Sequence, residues 1–251
     1  MNNSEQSYLQ RRGEIEHYFD RTAAQTWERL TSTDPVGRIR ATVRAGRDEM
    51  RNTLMSWLPE DMTGMKLLDA GCGTGALALC AAERGARVVA IDLSENLIQV
   101  ARTRYASLSP LGKDVHQKGS VEFASGDMLS PELGEFDYVV GMDSLIHYDA
   151  QDLINGVNVL SERTRKAILF TFPPRNPLLA LAHALGQLFP RSDRSPSLAP
   201  VSQKKLRSAL ENSIVKKGWS EGKTTRISRG FYTSQAWERS EERRVGKECR
   251  L

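Results

Sequence analysis

The run "KLLDAGCGTGALALC", Lys66 to Cys80, constrains the fold more than any other stretch of the chain. An apolar, strand-like segment ends in an acid, passes through glycines at every second position and continues as an Ala-rich helical pattern. Glycines so spaced allow a tight turn and a close approach of backbone to a ligand. The strand–loop–helix order then places that ligand at the carboxyl end of a strand in an α/β sheet. Gly71, Gly73 and Ala76 satisfy the GxGxx(G/A) fingerprint of dinucleotide folds, and Asp92 stands at the interval of a ribose-binding acid. A lone fingerprint does not choose between a dinucleotide and a nucleoside that carries something else.

The text after Lys66 predicts a Rossmann-like, doubly wound α/β fold with a mainly parallel sheet. "MKLLDA", "ARVVAID", "SVEFASGD", "FDYVVGMD" and "KAILFTF" read as successive strands, with helical runs between them. Gly85 closes the first of those helices and Ser94 caps the second. A helix is expected around residues 152–160, and the polar loop "SPLGKDVHQKGS" precedes the third strand. Near the end, "KTTRIS" and "FYTSQAWE", joined by Arg229-Gly230, predict a terminal antiparallel hairpin. Dinucleotide domains do not usually finish that way.

The acids separate the two ligands. Asp69, Asp92, Asp127 and Asp143 fall at or just beyond the ends of the first four strands, where open sheets bind ligands. Four acids with no Lys or Arg beside the glycines repel a pyrophosphate and suit an ammonium and a sulfonium. The expected ligand is S-adenosylmethionine. Asp69 faces its cationic tail, and Gly71, Cys72, Gly73 and Gly75 let backbone close on that tail. Asp92, beside Leu93, accepts from the ribose hydroxyls, Asp127 from the adenine amino group, and Met128 lies against the base. Met142 and Asp143 complete the set. The bland alternative for each aspartate is a helix cap.

These same segments, "LLDAGCGTG", "VVAIDLSENLI" and "ASGDM", resemble the class I S-adenosylmethionine-dependent methyltransferases. More narrowly, "YFDRTAAQTWERL", "FDYVVGMDSLIHY", "FPRSDRSP" and "RGFYTSQ" resemble the magnesium-protoporphyrin IX O-methyltransferases of chlorophyll and bacteriochlorophyll synthesis. The resemblance implies methyl esterification of a propionate of magnesium protoporphyrin IX. It also implies a handover of substrate from the large subunit of a magnesium chelatase. The magnesium arrives inside the porphyrin, so no protein metal site is expected. His147, in the loop after the fourth strand, is expected to orient the propionate. Some relatives carry a tyrosine after the Trp-containing segment where this chain has Leu30 and Thr31, which leaves Tyr18 as a candidate for that role. Tyr148 packs beside a ring or fills the core.

Residues 1–60 are read as a helical arm or lid, 61–238 as the donor-binding domain, and 173–200 as an insertion that shapes the acceptor pocket. Asp34-Pro35 is a good helix start. Val36, Ile39, Val43, Met50, Leu54 and Trp57 then share one face, with Arg40, Arg44, Arg47 and Arg51 beside it, chiefly as a solvated row. In the insertion, an apolar run from Leu178 to Leu188 precedes Arg191 and Arg194, which suit the carboxylates of a flat apolar macrocycle. That run is too short to span a bilayer but suits contact with a membrane surface.

The formal charge of +4 owes +2 to the tail "RSEERRVGKECRL", residues 239–251, which looks like sequencing-adapter read-through and is set aside as non-native. The rest is nearly neutral, so charge implies no nucleic-acid partner. Three cysteines, Cys72, Cys80 and Cys249, make neither a disulfide framework nor a zinc site and fit a reducing cytosol. Methyltransferases for a quinone or another small acceptor, a non-catalytic tetrapyrrole-binding protein and a nicotinamide-dependent reductase are the rival readings.

Overall fold

Lys66–Ala70 forms the central strand β1, almost wholly buried because helices cover both faces of the sheet. The computed structural model describes residues 3–23, 37–108, 119–175, 200–214 and 218–241. After β1 come α3 (Ala76–Glu83), β2 (Arg87–Asp92), α4 (Glu95–Leu108), β3 (Ser120–Ser125), β4 (Phe136–Gly141), α5 (Ala150–Ser161) and β5 (Thr164–Phe172). They are preceded by α1 (Asn3–His17), a π-helical turn Tyr18–Ala23 and α2 (Arg38–Trp57), and followed by α6 (Gln203–Ser213), β6 (Trp219–Arg229) and β7 (Tyr232–Glu241). The sheet order is β3-β2-β1-β4-β5-β7-β6. Only β7 runs antiparallel to both of its neighbours. Met50, Leu54, Leu77 and Ile98 build the core on one face, and Ile15, Leu153, Val157 and Leu210 the core on the other.

Among the described residues the expected strands and helices are present, with modest differences at their ends. Gly85, at φ +98°, ends α3, and Ser94 Oγ accepts from the Leu97 N–H at 3.2 Å to cap α4. The hairpin strands run longer than expected, and the turn is Gly230-Phe231, since Arg229 pairs with Tyr232. β7 continues through Glu241, three residues beyond the boundary drawn at 238, and Arg239 is buried. Helix α2 has Gly37 in the N-cap position; Asp34, Pro35 and Val36 lie outside the described residues. So do most of the loop before β3, the apolar run 178–188, Arg191 and Arg194. Ile39 is 58% exposed, Val43 is half-buried against the core, and Met50 and Leu54 are completely buried, so the apolar face of α2 sinks into the core along the helix.

Helix α2 crosses the hairpin at a glycine. A Cβ on Gly46 would lie 2.4 Å from Tyr232 Cδ1, closer than any real contact. Gly46→Ala therefore forces the ring or the helix to move. The expected loss is about 1–3 kcal/mol, seen as a lower midpoint in thermal unfolding followed by circular dichroism. An unchanged midpoint would show that this crossing yields easily.

Candidate active site

The carboxyl ends of β1, β2 and β4 open into a cavity of about 580 Å³. Its floor is the glycine loop. Gly71 and Gly73 have φ of +83° and +54°, which favour glycine, and a Cβ on Gly71 would lie 2.2 Å from Ser144 Cβ. The loop is held by Asp92, whose Oδ2 accepts from Gly73 N–H at 2.8 Å while Oδ1 accepts from Ser94 N–H at 3.0 Å. Burial raises the Asp92 pKa, and these N–H bonds oppose the rise. Asp69 is 1% exposed, and its Oδ2 accepts no hydrogen bond. Burial, reinforced by the charge of Asp92, pushes its pKa up to about 7. Cys72 lines the same wall, its thiol pushed well up by burial. Ser144 Oγ is likewise buried without a partner. Two unsatisfied polar atoms in one cavity mark a place built for a polar ligand.

Leu93, Met128 and Met142 also line the cavity, as do Asp143, His147 and Tyr148. Asp143 has the unusual φ of +54°, and its carboxylate collects donors from several elements. Tyr232 OH reaches both oxygens at 3.1 Å, Thr171 Oγ1 reaches Oδ1 at 3.1 Å, and Arg47 reaches Oδ2 at 3.0 Å. His147 sits in a short 3-10 turn, Leu145–His147, buried and met edge-on by Phe19 at 5.5 Å. The Tyr148 ring stacks on Tyr8 at 5.2 Å.

Three expected residues stand elsewhere. Asp127 is not among those lining the cavity: it accepts from Tyr8 OH at 2.7 Å, Arg12 at 3.1 Å and Leu129 N–H at 2.8 Å. The carboxylate assigned to an adenine amino group thus anchors α1, because two residues one helical turn apart reach it together. Tyr18 does not line the cavity either. Ile15 and Phe19, four residues apart and hence on one face, point there instead. Gly75, at φ +79°, faces Phe123, where a Cβ would lie 2.8 Å from the ring; its part is to let α3 start close to the sheet.

The sequence reading missed the cationic wall. Arg44, Arg47 and Arg51 line the cavity rather than facing solvent, together with Asp48, Thr74 and Ser144. Their spacing along the helix was visible, but nothing local says that this face turns toward the strand ends. The N-terminal segment is docked at several points. Arg11 donates to the His147 carbonyl at 2.7 Å, and Asp20 accepts from Ser94 Oγ at 3.0 Å and from Asn96 N–H at 3.2 Å at the start of α4.

A parallel sheet with a terminal antiparallel hairpin, and an acid-rimmed glycine loop at its strand ends, define a class I S-adenosylmethionine-dependent methyltransferase. A model of the general methyltransferase domain matches residues 67–166, and a model of the magnesium-protoporphyrin IX methyltransferase C-terminus matches residues 141–241. The chain belongs to the magnesium-protoporphyrin O-methyltransferase family. It is 46% identical to the magnesium-protoporphyrin O-methyltransferase of Rhodobacter capsulatus over 92% of this chain and 97% of that protein. The chloroplastic magnesium protoporphyrin IX methyltransferase of Arabidopsis thaliana is 28% identical over 88% of this chain and 68% of its own length. Among solved structures, the magnesium protoporphyrin IX methyltransferase of Synechocystis PCC 6803 with bound SAH shares the fold. Its TM-score is 0.78 at 24% identity, over 92% of this chain and 99% of that one. Among the described residues no cluster of three or more potential metal ligands occurs, and no helix is long and apolar enough to cross a membrane.

Proposed function

We propose that the chain moves the methyl group of S-adenosylmethionine to a propionate carboxylate of magnesium protoporphyrin IX, giving the monomethyl ester. The observation that carries this reading is one cavity in which a buried, unsatisfied Asp69 and the glycine loop meet His147 and the aromatic Phe19. The full-length likeness to the Rhodobacter capsulatus enzyme supports the choice of acceptor. In the proposed complex, Asp92 takes the ribose hydroxyls, Asp69 the ammonium, and Met128 the adenine. A propionate is already ionised at neutral pH, so the acceptor needs no base. Its oxygen attacks the methyl carbon in line as the carbon–sulfur bond breaks, leaving an ester and a thioether. An anion and a cation are both consumed, so a site that excludes water favours the transition state. His147 orients the propionate in this scheme.

Labelled donor incubated with magnesium protoporphyrin, metal-free porphyrin and a quinol tests the assignment. Label is expected on the magnesium porphyrin; a labelled quinol beside an unlabelled porphyrin overturns it. His147→Ala should lower kcat/KM by about 10- to 100-fold without abolishing turnover, since orientation is lost and no proton transfer is. Residues 1–60 serve as a lid in the same proposal, and residues 173–200, with Arg191 and Arg194 among them, as its acceptor-pocket insertion. Substrate received from a magnesium chelatase and contact with the surface of a photosynthetic membrane belong to the same proposal.

Asp69 makes donor binding pH-dependent. With its pKa at about 7, it is mostly protonated below neutrality, whereas the cationic donor prefers it ionised. Donor affinity should rise as pH climbs from 6 toward 8 and then level off, with proton release on binding at the acid end. Titration calorimetry in two buffers of different ionisation enthalpy reads both effects, and Asp69→Asn should flatten the profile. The linkage to folding has the reverse sign. A carboxyl whose folded pKa lies above its unfolded value stabilises the fold less as pH rises from about 4 to 7.

A further inference from the structure

Along α1 and the turn that follows it, Tyr8, Arg11, Ile15 and Phe19 stand three or four residues apart, on one face. Ile15 and Phe19 reach the cavity directly. Tyr8, Arg11 and Phe19 all meet the same two residues, His147 and Tyr148. Tyr8 stacks on the Tyr148 ring with 16° between the planes, and Phe19 meets the imidazole edge-on. Arg11 Nε donates to the His147 carbonyl at 2.7 Å, 136 residues away in sequence. This last contact differs in kind. Leu145–His147 is a single turn, closed by Tyr148 N–H on the Leu145 carbonyl at 3.3 Å. Carbonyls at the end of a helical turn lack donors within it, and a cationic side chain supplies one. Glu14 accepts from Arg11 Nη1 at 2.9 Å, which leaves Nε aimed at the turn. Phe19 thus confines the imidazole ring while Arg11 fixes the peptide that carries it. The Arg11 side chain is 23% exposed, so water can replace its donor at little cost in stability. Water does not replace its tether to α1.

We propose that Arg11 is a positioning residue for methyl transfer. It holds the turn that carries His147, and through that turn the imidazole that orients the acceptor carboxylate. The proposal rests on the methyltransferase reading of the cavity and on the part given there to His147. Arg11 is not among the residues that line the cavity, so its effect on turnover passes through the turn. An in-line displacement is sensitive to errors of aim, since a misplacement of about 1 Å costs up to about a hundredfold in rate. A turn of three residues has few hydrogen bonds of its own with which to resist such an error. The neighbouring Arg12 has a different task, since it donates to Asp127 at 3.1 Å.

Labelled-methyl transfer to magnesium protoporphyrin gives kcat, and calorimetric titration with S-adenosylhomocysteine reads the donor site. Arg11→Met keeps a long, helix-favouring side chain and removes the donor. It should lower kcat by about tenfold and leave S-adenosylhomocysteine affinity unchanged. In a His147→Ala background the same substitution should change kcat by less than about twofold, because residues that act through one another do not add. Arg11→Gln places Nε2 where Arg has Nε, keeps a donor without the charge, and should recover most of the lost kcat. Unchanged kcat in Arg11→Met overturns the proposal, as does a Gln variant no better than Met. An equal loss in both backgrounds also overturns it, by making Arg11 an anchor of α1 that works independently of His147. Wild-type kcat in His147→Ala removes the part given to His147, and the proposal with it. Arg11→Ala carries the same cycle if the Met variant does not fold. Failure of the wild-type chain to bind S-adenosylhomocysteine at all is a different result: it removes the methyltransferase reading itself.

Discussion

Asp92→Ala weakens S-adenosylmethionine binding by at least about a hundredfold, as read by calorimetric titration. The carboxylate has two tasks that Ala cannot share. It accepts from Gly73 N–H and Ser94 N–H, which joins the glycine loop to the start of the next helix. In the proposed complex it also takes the ribose hydroxyls. Losing a part-buried charged acceptor costs more than its net contribution, because the N–H groups facing it lose their partner as well. About 2.7 kcal/mol corresponds to the hundredfold change. Asp92→Asn should do nearly as badly, since one rotamer turns its NH₂ toward Gly73 N–H and the other toward Ser94 N–H. Binding within fivefold of wild type in the Ala variant would mean that Asp92 is only a loop brace.

Asp143→Ala has the largest expected effect on stability, a loss of about 3–5 kcal/mol. This carboxylate links β5, β7 and α2 through Thr171, Tyr232 and Arg47, and Ser234 Oγ approaches it at 3.4 Å. Removing it leaves a part-buried guanidinium and a buried phenol without their shared acceptor. The backbone adds to the cost, because φ of +54° suits Asp or Asn better than Ala. Asp143→Asn keeps that preference and most acceptors but drops the charge facing Arg47, so it should recover a large part of the loss. A lower chemical-denaturation midpoint at unchanged slope is the expected signature. An Ala variant within 1 kcal/mol of wild type would show that the node is dispensable.

How far the chain could be read depended on the range of the interaction. The β1–glycine loop–α3 unit was plain because its signals are local: an apolar run, glycines at conformations that favour them, and a helix that starts at once. Ser94 as a cap and Gly85 as a stop are local too, and both stand where the pattern put them. Asp69 and Asp92 were legible as a pair because strand ends in a parallel sheet share one rim. Asp127 lies at the same rim, but its partners Tyr8 and Arg12 come from more than a hundred residues away. No pattern around Asp127 announces them. Tyr18 was a candidate because a family tyrosine is missing at Leu30 and Thr31; which of Tyr18 and Phe19 lines the cavity depends on the turn of the helix, and Phe19 is the one that does.

The arginines of α2 mark the boundary most clearly. Spacing alone established that Arg44, Arg47 and Arg51 occupy one face, and hydropathy that this face is polar. Whether a polar helical face meets water or a cavity depends on where the helix is docked. Here the docking is set by Gly46 on Tyr232 and by Asp143 on Arg47, contacts that span 186 and 96 residues of sequence. Short-range backbone preference and side-chain period are written into neighbouring residues, so strands, caps and the glycine loop follow directly from the text. Which charges confront each other across the cavity follows only once packing has closed the chain, because those encounters join residues that share no local signal.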